Sequence, residues 1–194
     1  VTVPTGSTLS VTSTTAKILA THLEIFGIFN SQGAVNFAVN NPGVLHVKPG
    51  GTLLVGGILV GLQAGSTAGQ IINEGTIRTT SGSASITPPL DSPGVVEVLA
   101  GTSLGISQSV AQHPGTTLLG GTWKVAGTLT FPSGGSAVTT IGPGASVTLD
   151  GATASFPRME ANQLQSNQGQ LTIKGGKSLS TFRQFSNSGT ITVE

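Results

Sequence analysis

The sequence predicts an all-β fold, a right-handed parallel β-solenoid (β-helix) of about eight to ten irregular rungs. Three observations carry this: a phrase of alternating apolar residues that recurs along the chain, glycines at fixed steps within it, and a spacing near one solenoid turn. The phrase is an apolar pair two residues apart, a Gly three residues on, Ser or Thr two further, then a second apolar alternation. It reads as Val1, Val3, Gly6, Thr8, Leu9, Val11, and as Leu45, Val47, Gly50, Thr52, Leu53, Val55. It returns as Val96, Val98, Gly101, Ser103, Leu104, Ile106, as Thr139, Ile141, Gly144, Ser146, Val147, Leu149, and as Leu171, Ile173, Gly176, Ser178, Leu179, Thr181, with Thr139 and Thr181 standing where other copies are apolar. Ile191 and Val193 open a last copy.

Apolar residues two apart put their side chains on one face of a strand, and a Gly between two such pairs lets the backbone turn. Each phrase is therefore two short strands joined by a corner. A second Gly often precedes the first apolar residue, with Asn two positions before it: Asn41 and Gly43, Asn73 and Gly75, Asn167 and Gly169, Asn187 and Gly189. Ser92 takes the Asn place before Gly94. Asn and Gly tolerate the left-handed backbone of tight corners, so a second corner is expected there. The steps from Gly75 to Gly94 and from Gly169 to Gly189 are each about one solenoid period. Short strands with regular turns also suit a sandwich. Recurrence of the same residue types at the same step favours stacked rungs, and the right hand is assigned from its general prevalence, not from any residue.

Composition supports an ordered chain that draws its stability from ladders and a narrow core. Gly is 29 of 194 residues and only 8% are charged, yet 37% are hydrophobic and arranged in alternation, unlike a Gly-rich linker. With no Cys, neither disulfides nor a cysteine-based zinc site can brace the fold. The length fits one domain, 1–194, and the rungs at roughly 4.8 Å each would make a rod of about 40 to 50 Å. The most apolar run, Leu53 to Leu62, is too short to span a bilayer and is broken by Gly56, Gly57 and Gly61, so membrane insertion is not expected. It reads as two buried strands with a bend. Val1 and Glu194 both fall inside the repeat, and neither end carries a cap. The expectation is a piece of a longer array, or a fibre subunit whose last rung stacks end to end on the first rung of a neighbour.

Phrases such as Gly121 to Phe131 (GTWKVAGTLTF), Gly144 to Gly151 (GASVTLDG) and Ser186 to Val193 (SNSGTITV) resemble the β-helical repeat regions of large secreted bacterial adhesins and autotransporter passengers. The resemblance implies an extracellular or cell-surface location and a structural or adhesive role without catalysis. The alternative is a carbohydrate-active β-helix, either a polysaccharide lyase or hydrolase or a glycan-binding module. The break in rhythm from Ser107 to Pro114 departs from the pattern.

The acids Glu24, Glu74, Asp91, Glu97, Asp150, Glu160 and Glu194 are scattered, and no two suggest a shared catalytic site, so no catalytic residue is assigned. His46 and Glu97 hold the same outward step of two copies and could meet by stacking; the expectation is a solvated face. His22 and Glu24 point to one side by alternation, but a pair lacking further ligands is read as strand neighbours, and His113 beside Pro114 as a loop residue. Neither metal nor cofactor is expected. The stretch 150–166 is the richest non-repetitive segment. It is a candidate projecting loop, with Asp150, Arg158 and Glu160 as candidate ligand contacts to a surface glycan or protein. Trp123 holds the step of Leu171, which predicts burial. The outward step, read as Thr2, His46, Glu97, Thr140, Thr172 and Thr192, is too interrupted for ice binding. A net charge of +1 without a basic cluster disfavours nucleic acid.

Overall fold

The structure, a computed structural model, describes residues 1–11, 15–31, 37–56, 58–59 and 67–194, with the backbone alone at 58–59. It is an all-β parallel β-solenoid. The chain runs round three walls. The first wall stacks Thr2–Val3, His22–Ile25, Val44–Val47, Gln70–Asn73 and Leu90–Asp91. The second stacks Thr8–Ser10, Ile28–Ser31, Thr52–Val55, Thr76–Thr79, Val95–Val98, Thr117–Val125, Thr140–Asp150, Gln170–Lys174 and Thr190–Val193. The third holds Ile58–Leu59, Ser83–Ile86, Ser103–Ile106 and Thr128–Thr130, while Lys17–Leu19 and Phe37–Val39 pair at the equivalent stage of the first two turns. Every strand pairing within these walls is parallel.

Alternation within each strand sends one set of side chains inward, and parallel register stacks that set into columns. On the second wall the column is Phe29, Leu53, Ile77, Val96, Trp123, Val147 and Leu171, each at most 2% exposed. Leu23, Leu45, Ile71 and Leu90 form the first-wall column, and Ala84, Leu104 and Leu129 that of the third. Burying one such Leu or Ile contributes about 1.5–3 kcal/mol. Of the run Leu53 to Leu62, Leu53 and Val55 are core residues; Gly57, Val60, Gly61 and Leu62 lie outside the described residues.

The recurrent phrase marks a corner, and a turn has more than one. Leu45 to Val55 passes from the first wall to the second, whereas Val96 to Ile106 passes from the second to the third. Copies of one phrase therefore occupy different faces, so the number of copies is not the number of turns; among the described residues the second wall stacks nine strands, eight turns from the first to the last. The copy around Gly144 makes no break at all: Thr140–Asp150 is one 11-residue strand.

The two kinds of glycine do different work. Gly50 takes a φ of +83°, and Gly6, Gly101 and Gly176 share that left-handed backbone, at corners that the phrase predicts. The Asn-x-Gly corners do not. Among the described residues only Ala161 and Asn162 have positive φ without being Gly. Asn73 is instead buried, its Nδ2 donating to Ser92 Oγ at 2.9 Å and to the carbonyl of Val95 at 2.9 Å on the next turn. Gly75 is needed for closeness: a Cβ there would lie 2.4 Å from the carbonyl oxygen of Gly51 and 2.4 Å from that of Lys48. Both are backbone atoms held in the ladder, so Gly75→Ala should push two turns apart and cost about 1–3 kcal/mol. Gly115→Ala, where an added Cβ meets open space, should be close to neutral when both variants are compared with the wild type by urea titration.

Candidate functional site

The outward positions of the second wall carry the largest run of charge in register. Arg78, Glu97 and Lys124 stack on successive turns, followed by Thr148 and Thr172. Arg78 Nε donates to Glu97 Oε2 at 2.5 Å, and Lys174 Nζ lies 3.2 Å from Asp150 Oδ2. Lys124 makes no ion pair among the described residues. Glu97, Lys124, Thr148, Asp150 and Lys174 line an open depression of about 360 Å³. Val98, Leu99, Val125 and Ala126 complete its lining, so it offers apolar contact beside charges of both signs.

The three candidate ligand contacts of 150–166 do not converge. Asp150 ends a second-wall strand and pairs with Lys174, at the depression just described. Arg158 turns to another side, its Nη2 donating to the carbonyl of Pro132 at 2.6 Å and to that of Ser133, which fastens the segment around 131–136. Glu160 accepts from Lys177 Nζ at 2.8 Å and from the Phe156 amide. The Lys177 side chain is 7% exposed, so this is an enclosed pair, and Lys177 also donates to the carbonyl of Ala154. Ala154, Phe156, Met159 and Leu164 of the same stretch are buried in the core. The segment read as a projecting loop sends its apolar residues inward and spends its charges on neighbouring chain.

His46 and Glu97 do not stack. His46 lies opposite Glu24 and Ile72 on the first wall, and Glu97 opposite Arg78 and Lys124 on the second. The outward row read across copies mixed two walls for the same reason. Instead, register sets His46 against the strand bearing His22 and Glu24. His46 Nε2 is 2.9 Å from Glu74 Oε2, with Lys48 Nζ at 3.5 Å from the same oxygen. The hydrogen bond from His46 holds the Glu74 carboxyl below its usual value, against a smaller opposing effect of desolvation. Aligning Leu23 and Ile25 with Leu45 and Val47 would have revealed this grouping from sequence.

His113 is half-buried against Phe131, ring centroids 5.4 Å apart. Burial lowers its pKa, Arg158 adds to that, and a hydrogen bond with the backbone of Ala137 opposes it. A histidine held below its unfolded value of 6.5 leaves the unfolded chain binding more protons as pH falls. Its contribution to stability is thus intact above pH 6.5 and declines below it. Urea midpoints measured from pH 7.5 down to pH 5 should fall for the wild type and fall less steeply for His113→Asn.

Comparison with known proteins returns no match: no family model fits the sequence, and no curated protein and no solved structure is significantly similar. No helix of the described residues is long and apolar enough to cross a membrane.

Proposed function

We propose that the chain is a structural or adhesive β-solenoid segment of a secreted surface protein or extracellular fibre, comparable to the β-helical regions of bacterial adhesins and autotransporter passengers, and that it acts without catalysis. The observation that carries this reading is the unbroken parallel ladder of the second wall from Thr8 to Thr190, backed by one apolar column. A ladder of that kind resists bending because each turn is bonded to the next along its whole width. Surface glycans, proteins or a second copy stacked rung on rung are the partners such a rod would meet.

A second reading, a carbohydrate-active solenoid, is favoured by the depression that holds Glu97, Lys124, Asp150 and Lys174 together. The two separate in one experiment. Purified protein is incubated with a panel of neutral and acidic polysaccharides while binding and newly formed chain ends are both followed. Binding without new ends supports the adhesive reading. New ends that disappear in Glu97→Gln or Asp150→Asn would establish the enzyme and end the first reading.

A further inference from the structure

We propose that His22, Glu24 and His46 form a surface site on the first wall for a divalent transition-metal ion of the imidazole-preferring kind, with Glu74 as the carboxylate that orients His46. Placement follows from the backbone. In His22–Ile25 the inward residues Leu23 and Ile25 are 3% and 0% exposed, so alternation fixes His22 and Glu24 on the outer side. The next turn sets Leu45 on Leu23 and Val47 on Ile25, which brings His46 into register with Glu24. The ladder and two buried columns hold all three Cα positions, independent of any ion.

The donor atoms already lie close. One ligand atom from each residue falls within 4.8 Å of the others, and among the described residues these form the one such group of three His, Asp or Glu donors. His22 Nε2 is 3.9 Å from Glu24 Oε1, and the two imidazole centroids are 5.9 Å apart. Metal–ligand bonds of about 2.0–2.2 Å in tetrahedral geometry place donors roughly 3.4 Å apart. Closing the remaining gap takes side-chain rotation alone, and the His22 side chain, 51% exposed, has room for it.

The rest of the arrangement fits a metal better than a chance ion pair. The His46 side chain is only 13% exposed and its Nε2 is held by Glu74, the carboxylate–imidazole contact that metal-bound histidines commonly make through their other nitrogen, which leaves Nδ1 as the ligating atom. Lys48 anchors Glu74 in turn. Two imidazoles and one carboxylate suit Zn(II), Ni(II) or Cu(II) and suit Ca(II) or Mg(II) poorly, since those demand oxygen donors. The chain has no Cys to compete as a thiolate ligand. Three protein donors leave a further position open, and it faces outward, because His22 and Glu24 are the more exposed members.

The test is isothermal titration of the full chain, free of any affinity tag, with zinc chloride, and separately with calcium chloride. Saturable one-to-one zinc binding is expected, with no comparable calcium binding. His22→Ala, an exposed position, and Glu24→Gln should each weaken zinc at least about ten-fold, and Glu74→Gln should weaken it about ten-fold through the orientation of His46. His113→Asn should leave it unchanged. Circular dichroism of each variant confirms that the fold persists. Absence of saturable zinc binding, zinc binding untouched by His22→Ala and Glu24→Gln, or calcium bound as tightly as zinc would each overturn the proposal.

Discussion

Replacing Trp123 by Ala should lower the stability of the solenoid by about 3–5 kcal/mol, the usual cost of removing a large buried ring. Trp123 is the largest fully buried side chain and sits in the middle of the second-wall column, between Val96 and Val147. Its ring meets Phe131 edge-on at 5.3 Å, and Phe131 meets Phe156 likewise at 4.9 Å, so the indole anchors an aromatic row that runs to the end of the third-wall strand Thr128–Thr130. The indole N–H also donates to the carbonyl of Gly120 at 2.9 Å, where the strand Thr117–Val125 slips register. Ala would leave a cavity and lose that hydrogen bond. Trp123→Phe keeps most of the packing and loses the hydrogen bond, for a cost of about 1–3 kcal/mol. Since this is the only Trp, its fluorescence vanishes with it, and far-ultraviolet circular dichroism in urea is the measurement. Equal stability of wild type and Trp123→Ala would mean that the second-wall column is not the core.

The second large effect is a charge placed in that column. Leu171 is 2% exposed and stacked between Val147 and Ile191, so Leu171→Asp removes about 2–3 kcal/mol of apolar burial and strands a carboxylate without a partner. Thr172, one residue on, stands between Thr148 and Thr192 on the outer side. Thr172→Asp should therefore cost no more than about 1 kcal/mol. Because a solenoid is stabilised turn by turn, the damage from Leu171→Asp should begin as loss of the last turns, seen as amide exchange that quickens there before it quickens at Leu53 or Ile77. Equal losses from the two substitutions would mean that the inward and outward faces are reversed.

Residues whose role is set by alternation and local conformation were legible from sequence. Trp123 and Leu171 share a step of the phrase and share a column in the structure, and Gly50 makes the corner that its place in the phrase predicts. Roles set by contact between turns were not. Asn73 looks like a turn residue by type, yet its function is a hydrogen bond to Ser92 on the following turn. The copies at Leu45 and Val96 are alike because any corner needs the same chemistry, so their likeness says nothing about which wall each one leaves. That is why His46 was matched with Glu97 and not with Glu24, and why the candidate metal donors stayed apart. In 150–166 the period is lost, and with it the means of deciding that Phe156 and Met159 point inward while Arg158 and Glu160 bind neighbouring chain.

The central claim is that the chain is a coaxial stack with each turn in register on the last. One row on the outer side of the second wall runs Thr8, Ile28, Thr52, Thr76, Val95, Thr122, Ser146, Gln170 and Thr190. Thr8 and Thr190 are exposed, and the absence of Cys allows both to be replaced by Cys and spin-labelled without competing thiols. Eight steps of roughly 4.8 Å separate them by about 38 Å. Double electron–electron resonance should therefore give a single distance population centred near that value, broadened by the label linkers. A population well below about 25 Å, as packed sheets folded back on each other would give, would contradict the stacked register on which the fold and its proposed role depend.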